Sequence, residues 1–141
     1  MAGYLLDTNV VSELIRSAPD ENVVSWVESQ DTADLFLAAT TMGELIRGVW
    51  RLAEGRRRAR YEKWIHEDLK YQFEGRILPF DQEAAMIWGE IMGEAERRGR
   101  PKAGADAQIA AIARRHGLVM VTRNTRDFAD MSVELLDPWK A

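Results

Sequence analysis

Apolar residues fall along this chain in two rhythms. Short unbroken runs read as buried strands, and longer stretches with apolar positions three and four apart read as helices. Tyr4 to Leu6 is the first run, and it stops at Asp7-Thr8-Asn9, residues of the turn and N-cap types. Val10, Val11, Leu14 and Ile15 then recur at helical spacing. Pro19-Asp20 restarts the chain, and Val23, Val24, Trp26 and Val27 mark a second helix. Leu35 to Ala38 reads as a buried strand. It leads into Thr40-Thr41, a second N-cap signal, and a helix carrying Leu45, Ile46, Val49 and Leu52 that ends at Gly55. From Arg56 to Phe73 one apolar stripe (Tyr61, Trp64, Ile65, Leu69) runs through a charged segment, the pattern of an amphipathic helix stopped by Gly75.

The second half repeats the alternation. Ile77 to Phe80 is strand-like. Asp81 to about Arg98 is a helix with Ala84, Ile87, Trp88 and Ile91 inward, and Gly99 to Pro101 is a loop. Ala105 to His116 is an alanine-rich helix with Gly117 as its C-cap. Leu118 to Val121 is a buried strand ending at Thr122, and Val133 to Leu136 is a last edge strand. Strands alternating with helices imply the α/β class, with a central parallel sheet covered on both faces. No linker, repeat or low-complexity stretch divides residues 1–141, so one domain is expected.

Composition narrows the class without naming an activity. The chain is 46% hydrophobic and 30% charged, which is globular usage. Without cysteine it has no disulfide, thiolate metal site or cysteine nucleophile. No signal-peptide pattern opens the sequence, and no apolar stretch nears the roughly 20 residues of a membrane span. A soluble cytoplasmic protein is the expectation, with no membrane partner. The net charge of -4 is the wrong sign for a nucleic-acid binder. Arginines are nonetheless clustered at Arg56, Arg57, Arg58 and Arg60, at Arg97, Arg98 and Arg100 with Lys102, at Arg114 and Arg115, and at Arg123 and Arg126. Each cluster is either a phosphate-binding patch or a solvated helix face balanced by nearby glutamates.

The acids at strand ends carry more information. In open α/β sheets a ligand lies beyond the carboxyl ends of the strands. Asp7 sits at that end of the first strand. Glu44 lies one turn into the helix after the second. Thr122, Asn124 and Asp127 follow the fourth. Asp106 shares a helical face with Ile109, Ala110 and Ala113, and an acid on an apolar face is costly unless something pairs with it. Each position also has a purely structural explanation. Asp7 can cap its helix, Asp106 can favour a helix N-terminus, and Asn124 and Asp127 can be loop or cap residues. Thr41-Met42-Gly43-Glu44 fits a capping box in which Glu44 reaches back to the Thr41 amide. If the sheet order gathers these acids, the structural explanations weaken. Two carboxylates about 4 Å apart repel by roughly 4 kcal/mol at an effective dielectric of about 20, and a hard cation relieves this. Magnesium suits oxygen ligands and leaves room for a substrate phosphate.

Other chemistries fit less well. His66 and His116 both read as surface residues, so a nucleophilic triad lacks a base. Neither a Walker loop nor a dinucleotide-binding glycine fingerprint is present. A phosphoaspartate enzyme is conceivable at Asp7, but the second aspartate expected two residues on is Asn9.

Four segments, in order, resemble the motifs of PIN domains: Leu5 to Glu13, Thr41 to Leu45, Ala105 to Ala111, and Val121 to Asn124. Gly75 to Asp81 and Asp137-Pro138-Trp139 are similar to the VapC toxin branch that contains FitB. The resemblance implies a three-layer α/β/α fold and a magnesium-dependent endoribonuclease, with manganese able to substitute. It also implies the toxin half of a toxin–antitoxin pair. Asp7 and Asp106 would be direct metal ligands, and Glu44 a ligand or the group that orients the attacking water. The fourth position often holds aspartate, and here it is Asn124, with Asp127 three residues on as the substitute ligand. The implied partners are an RNA substrate, a VapB-like antitoxin and a second copy of the chain, with operator DNA reached only through the antitoxin. A catalytically silent PIN module that binds RNA or protein is the alternative.

Overall fold

The computed structural model describes residues 3–141. Its centre is a five-stranded sheet in the order β3-β2-β1-β4-β5, formed by Ile77–Leu78, Leu35–Ala38, Tyr4–Leu6, Val119–Val121 and Leu135–Leu136 respectively. Every neighbouring pair is parallel. Both edge strands are two residues long, which leaves little edge for another chain to join.

The strand period of two divides the apolar residues between two cores, one on each face. Leu5, Ala38 and Met120 point to one side. There they pack with Ala84 and Ile91 of α6 (Gln82–Arg97), the Ala107 to Ala113 face of α7 (Gly104–His116), and Phe128 of α8 (Thr125–Phe128). Their neighbours Leu6, Leu35, Leu37 and Val121 point to the other side. They meet Val10 and Val11 of α1 (Thr8–Leu14) and Val23 of α2 (Glu21–Glu28). Leu69 joins them from the π-helical segment Trp64–Leu69, which lies between α4 (Arg56–Lys63) and α5 (Lys70–Gln72). Three layers follow from this alternation, as expected for a sheet covered on both faces.

Several boundaries differ from the sequence reading, and one bears on function. Helix α3 (Ala39–Trp50) starts directly off β2 with Ala38 as its N-cap, so Thr40 and Thr41 lie inside it. No side chain caps it, and Thr41 is fully buried. The capping-box reading of Glu44 therefore fails: the Thr41 amide is not at a helix start. The strand enters the helix without a turn, which Thr-rich sequence alone does not reveal. The same helix ends at Trp50 rather than at Gly55, which instead precedes α4. Gly117 does cap α7, with φ of 65° in the left-handed region that glycine tolerates best. The short helix α8 after Asn124 was not apparent from the sequence. Among the described residues no helix is long and apolar enough to cross a membrane.

Candidate active site

Because β1 lies between β2 and β4, the loops leaving all three strands open on one side of the sheet. They form a cleft of about 520 Å³ lined by Asp7, Glu44, Asp106 and Asn124, with Asn9, Glu13, Arg16, Arg123 and Trp139 around them. Four of the five candidate ligands meet here. Asp127 does not line the cleft, yet its charge raises the pKa of both Asp7 and Asp106.

Asp7 is 4% exposed and held on both oxygens. Its Oδ1 accepts from the Thr8 amide at 2.8 Å, so it does cap α1. Its Oδ2 accepts from the Thr122 hydroxyl at 2.8 Å. Capping and site membership are thus compatible, since each carboxylate oxygen keeps acceptor capacity after one bond. Thr122, wholly buried, is the hub. Besides donating to Asp7, its oxygen accepts from Asn9 Nδ2 at 3.2 Å and from the Asn124 amide at 3.0 Å.

Glu44 comes from α3. Its Oε1 accepts from the Thr8 hydroxyl at 2.6 Å, and the Thr41 hydroxyl lies 3.3 Å from that same hydroxyl. The polar contact that holds Glu44 is therefore with the start of α1, across the cleft. Asp106 stands in the first turn of α7, half-buried, with no hydrogen-bond donor among the described residues. Burial, then the charges of Asp7, Asp127 and Glu44, push its carboxyl up to about 6. Burial also raises Asp7, against the lowering effect of its two hydrogen bonds.

An all-oxygen set of mutually repelling carboxylates, one without any partner, is suited to a hard divalent cation. Among the described residues no group of three acidic or histidine side chains forms a ready metal cage. A largely hydrated ion such as magnesium needs only one or two carboxylates from a protein. His66 and His116 are exposed, as expected.

Sequence reasoning missed several participants. Glu13 is buried, pairs with Arg16 at 3.1 Å and accepts from the Asp20 amide at 2.8 Å, tying α1 to the start of α2. Asn9, Ser12, Glu13 and Arg16 all line the cleft. Asn9, Ser12 and Glu13 share one polar face of α1 at i, i+3 and i+4, and Arg16 follows just past its C-cap, a signal that was present in the sequence. Trp139, packed under Arg123 at 5.1 Å, lies too far along the chain for any local pattern to connect it.

Comparison with known proteins bears on the family and the fold. The PIN domain family matches residues 4–134. The chain is 40% identical to Toxin FitB of Neisseria gonorrhoeae, over 96% of this chain and 97% of that protein. It is 35% identical to VapC ribonuclease Y4jK of Sinorhizobium fredii, over 96% and 97%. Among solved structures, FitAcB from Neisseria gonorrhoeae superposes with a TM-score of 0.91 at 39% identity, covering 98% of this chain and 99% of that one. DNA-bound VapBC from Salmonella typhimurium gives 0.82 at 29% identity, over 98% and 99%. With Asp7 after β1, Glu44 on the helix after β2 and Asp106 at the start of α7, and with the family model matching residues 4–134, the chain belongs to the PIN domain family, among the relatives of FitB and the VapC ribonucleases.

Proposed function

We propose that this protein is a magnesium-dependent endoribonuclease and the toxin half of a VapBC-like toxin–antitoxin pair. The observation that carries the reading is the meeting of Asp7, Glu44 and the unpartnered Asp106 in one open cleft. The VapC ribonuclease name of a relative and the VapBC complex among the structural neighbours support it.

Asp7 and Asp106 are the residues to hold magnesium or manganese, with the Asn124 amide oxygen beside them as a neutral fourth donor and Asp127 as the substitute. When bound, the ion neutralises the carboxylates and lowers the pKa of a water poised to attack a phosphodiester. Glu44 has one oxygen engaged by Thr8, which leaves the other to orient that water and accept its proton. Arg16 and Arg123, on the cleft wall, supply positive charge for a substrate phosphate. An antitoxin that inserts an arginine or lysine among the carboxylates would exclude both metal and phosphate. Operator DNA then belongs to the antitoxin's side of the complex. Trp50, 61% exposed on α3, offers an aromatic contact for a second copy of the chain. Such a pair acts on cytoplasmic RNA.

The test is to incubate the purified chain, stripped of any partner, with structured and single-stranded RNA, with and without magnesium. Cleavage only with metal is expected. Phosphoryl labelling of Asp7 without RNA cleavage would overturn the reading in favour of a phosphoaspartate enzyme. Binding without cleavage in any divalent ion would make it a silent PIN module. A size measurement and co-purification from the native host test the dimer and the small basic-tailed partner.

A further inference from the structure

Among the described residues two arginines line the acid-rich cleft, and the fold holds them in different ways. Arg16 gives its Nη1 to the buried Glu13 carboxylate at 3.1 Å, so its charge is already compensated. Arg123 has no carboxylate within 4.0 Å among the described residues, although the cleft it lines is built from them. Its guanidinium lies over the ring of Trp139, 5.1 Å from the centre. Such a stack covers the face of the guanidinium. It leaves the N–H donors, which lie in the plane, free for a bidentate partner.

The contact follows from strand order. β4 and β5 are parallel neighbours, in register at Val121 and Leu136, so the turns leaving them emerge at the same end of the sheet. Arg123 lies two residues past the first strand and Trp139 three past the second. Each is anchored by further contacts. The Arg123 amide donates to Asn9 Oδ1 at 3.4 Å, and Thr122 just before it holds Asp7. Trp139 sits in the 3-10 turn Pro138–Lys140. Its amide donates to Asp137 Oδ1 at 2.9 Å, and its carbonyl accepts from Asn22 of α2, also at 2.9 Å. Its ring packs against the core that α1 and α2 share.

We propose that Trp139 is a positioning residue: it holds Arg123 clear of the cleft carboxylates, so that Arg123 clamps a phosphate of the RNA at the cut. The inference rests on the nuclease reading and deepens it, bringing the turn after β5 into the active site. In a cleft of carboxylates the default partner of an arginine is a carboxylate, bound through two N–H groups. Without the ring, the long side chain of Arg123 would be free to fold onto those acids and neutralise them. It would also keep its rotamer freedom until phosphate bound, and losing that freedom then would weaken the contact. The stack removes both penalties in advance. A base could not use the ring face that Arg123 covers, so the indole acts through the arginine.

The experiment is a double-mutant cycle on cleavage of a labelled RNA hairpin by the full chain in magnesium. Arg123→Ala should lower kcat/KM about tenfold, the scale of one charged hydrogen bond. Trp139→Leu keeps an apolar side chain and removes the ring. It should lower kcat/KM by roughly two- to fivefold, the scale of an exposed cation–π contact, and Trp139→Phe should recover most of that loss. In the Arg123→Ala background, Trp139→Leu should change nothing further. Binding of the same hairpin is read by fluorescence anisotropy with an Asp106→Asn chain, which leaves it uncut. There Arg123→Ala should make the slope of log affinity against log salt shallower by about 0.7 to 0.9, for one lost phosphate contact. Trp139→Leu should show most of that change although it removes no charge. If Trp139→Leu does not fold, Arg123→Lys takes its place: it keeps the charge but loses the planar fork and the stack, and should fall close to Arg123→Ala. A Trp139 that only packs the fold would lower activity equally with and without Arg123. That additive result, an unchanged salt slope or a fully active Arg123→Lys chain overturns the clamp alone, since the parent still cuts. A parent chain that cuts no RNA with any divalent ion overturns the nuclease reading, and the clamp with it.

Discussion

Thr122 shows how much of the site depends on a single hydroxyl. It donates to Asp7 in a buried bond and accepts from Asn9 and from the Asn124 amide in part-buried ones. Thr122→Val keeps the shape and removes every one of these bonds. It should cost about 1–3 kcal/mol in denaturant unfolding, the usual penalty for stranding buried polar groups, and depress cleavage as well. Thr122→Ser should restore both; a Val variant as stable and active as the parent would remove Thr122 from the site. For the acids themselves, Asp7→Asn and Asp106→Asn should fold and lose RNA cleavage, and either cutting at the parent rate contradicts the assignment. Glu44→Gln is sharper. Its amide oxygen can still accept from Thr8, and Glu44 is not a helix cap, so stability should hold within about 0.5 kcal/mol while most activity disappears. Lost stability with intact cleavage would return Glu44 to a structural role.

At the scale of elements, the position of β1 at the middle of β3-β2-β1-β4-β5 does most of the work. It puts the helix after β2 and the turn after β4 on either side of Asp7, while α7 brings Asp106 in from before β4. The turn after β4 supplies the fourth donor. Asn124 lines the cleft, and Asp127 sits on α8 outside it. If Asn124 is the ligand, Asn124→Asp should tighten magnesium binding, read by calorimetry, and Asp127→Asn should change it little. The opposite pattern would move the role to Asp127. The strands themselves were readable: Leu35–Ala38 and Tyr4–Leu6 are short apolar runs with clear stops, and their limits came out as expected. The start of α3 was not, because a Thr-Thr pair looks like a cap whether the helix begins there or two residues earlier.

At the scale of the molecule, the clustered carboxylates couple folding to pH and to metal. Asp7 and Asp106 both have raised pKa values when folded, Asp106 at about 6, so the folded chain binds more protons than the unfolded chain between the ordinary aspartate value and about 6. Stability from these groups therefore falls as pH rises through that window. The metal-free protein should melt higher near pH 5 than near pH 7.5, and Asp106→Asn should flatten the difference. Magnesium competes with those protons. It should raise the melting point at pH 7.5, by about 2.7 kcal/mol of stability at a hundred times its Kd, and by much less at pH 5. An equal effect at both values would mean that the ion binds elsewhere.

What the sequence determined by itself is whatever depends on near neighbours. Periodicity defines which residues face a core, Gly117 ends α7, and the ordered motifs around Asp7, Glu44, Asp106 and Asn124 carry the family. What only the tertiary structure decided depends on residues far apart in the chain. Strand order brings Asp7 and Thr122 into hydrogen-bond contact across 115 positions, and Thr8 to Glu44 across 36. No local pattern encodes such distances, because packing of the two cores against the sheet sets them. The same holds for the arginines. In the sequence the cluster at Arg56 looks like the one at Arg97, and only the fold pairs Arg97 and Arg98 with Glu94 while giving the Arg56 cluster no carboxylate partner among the described residues.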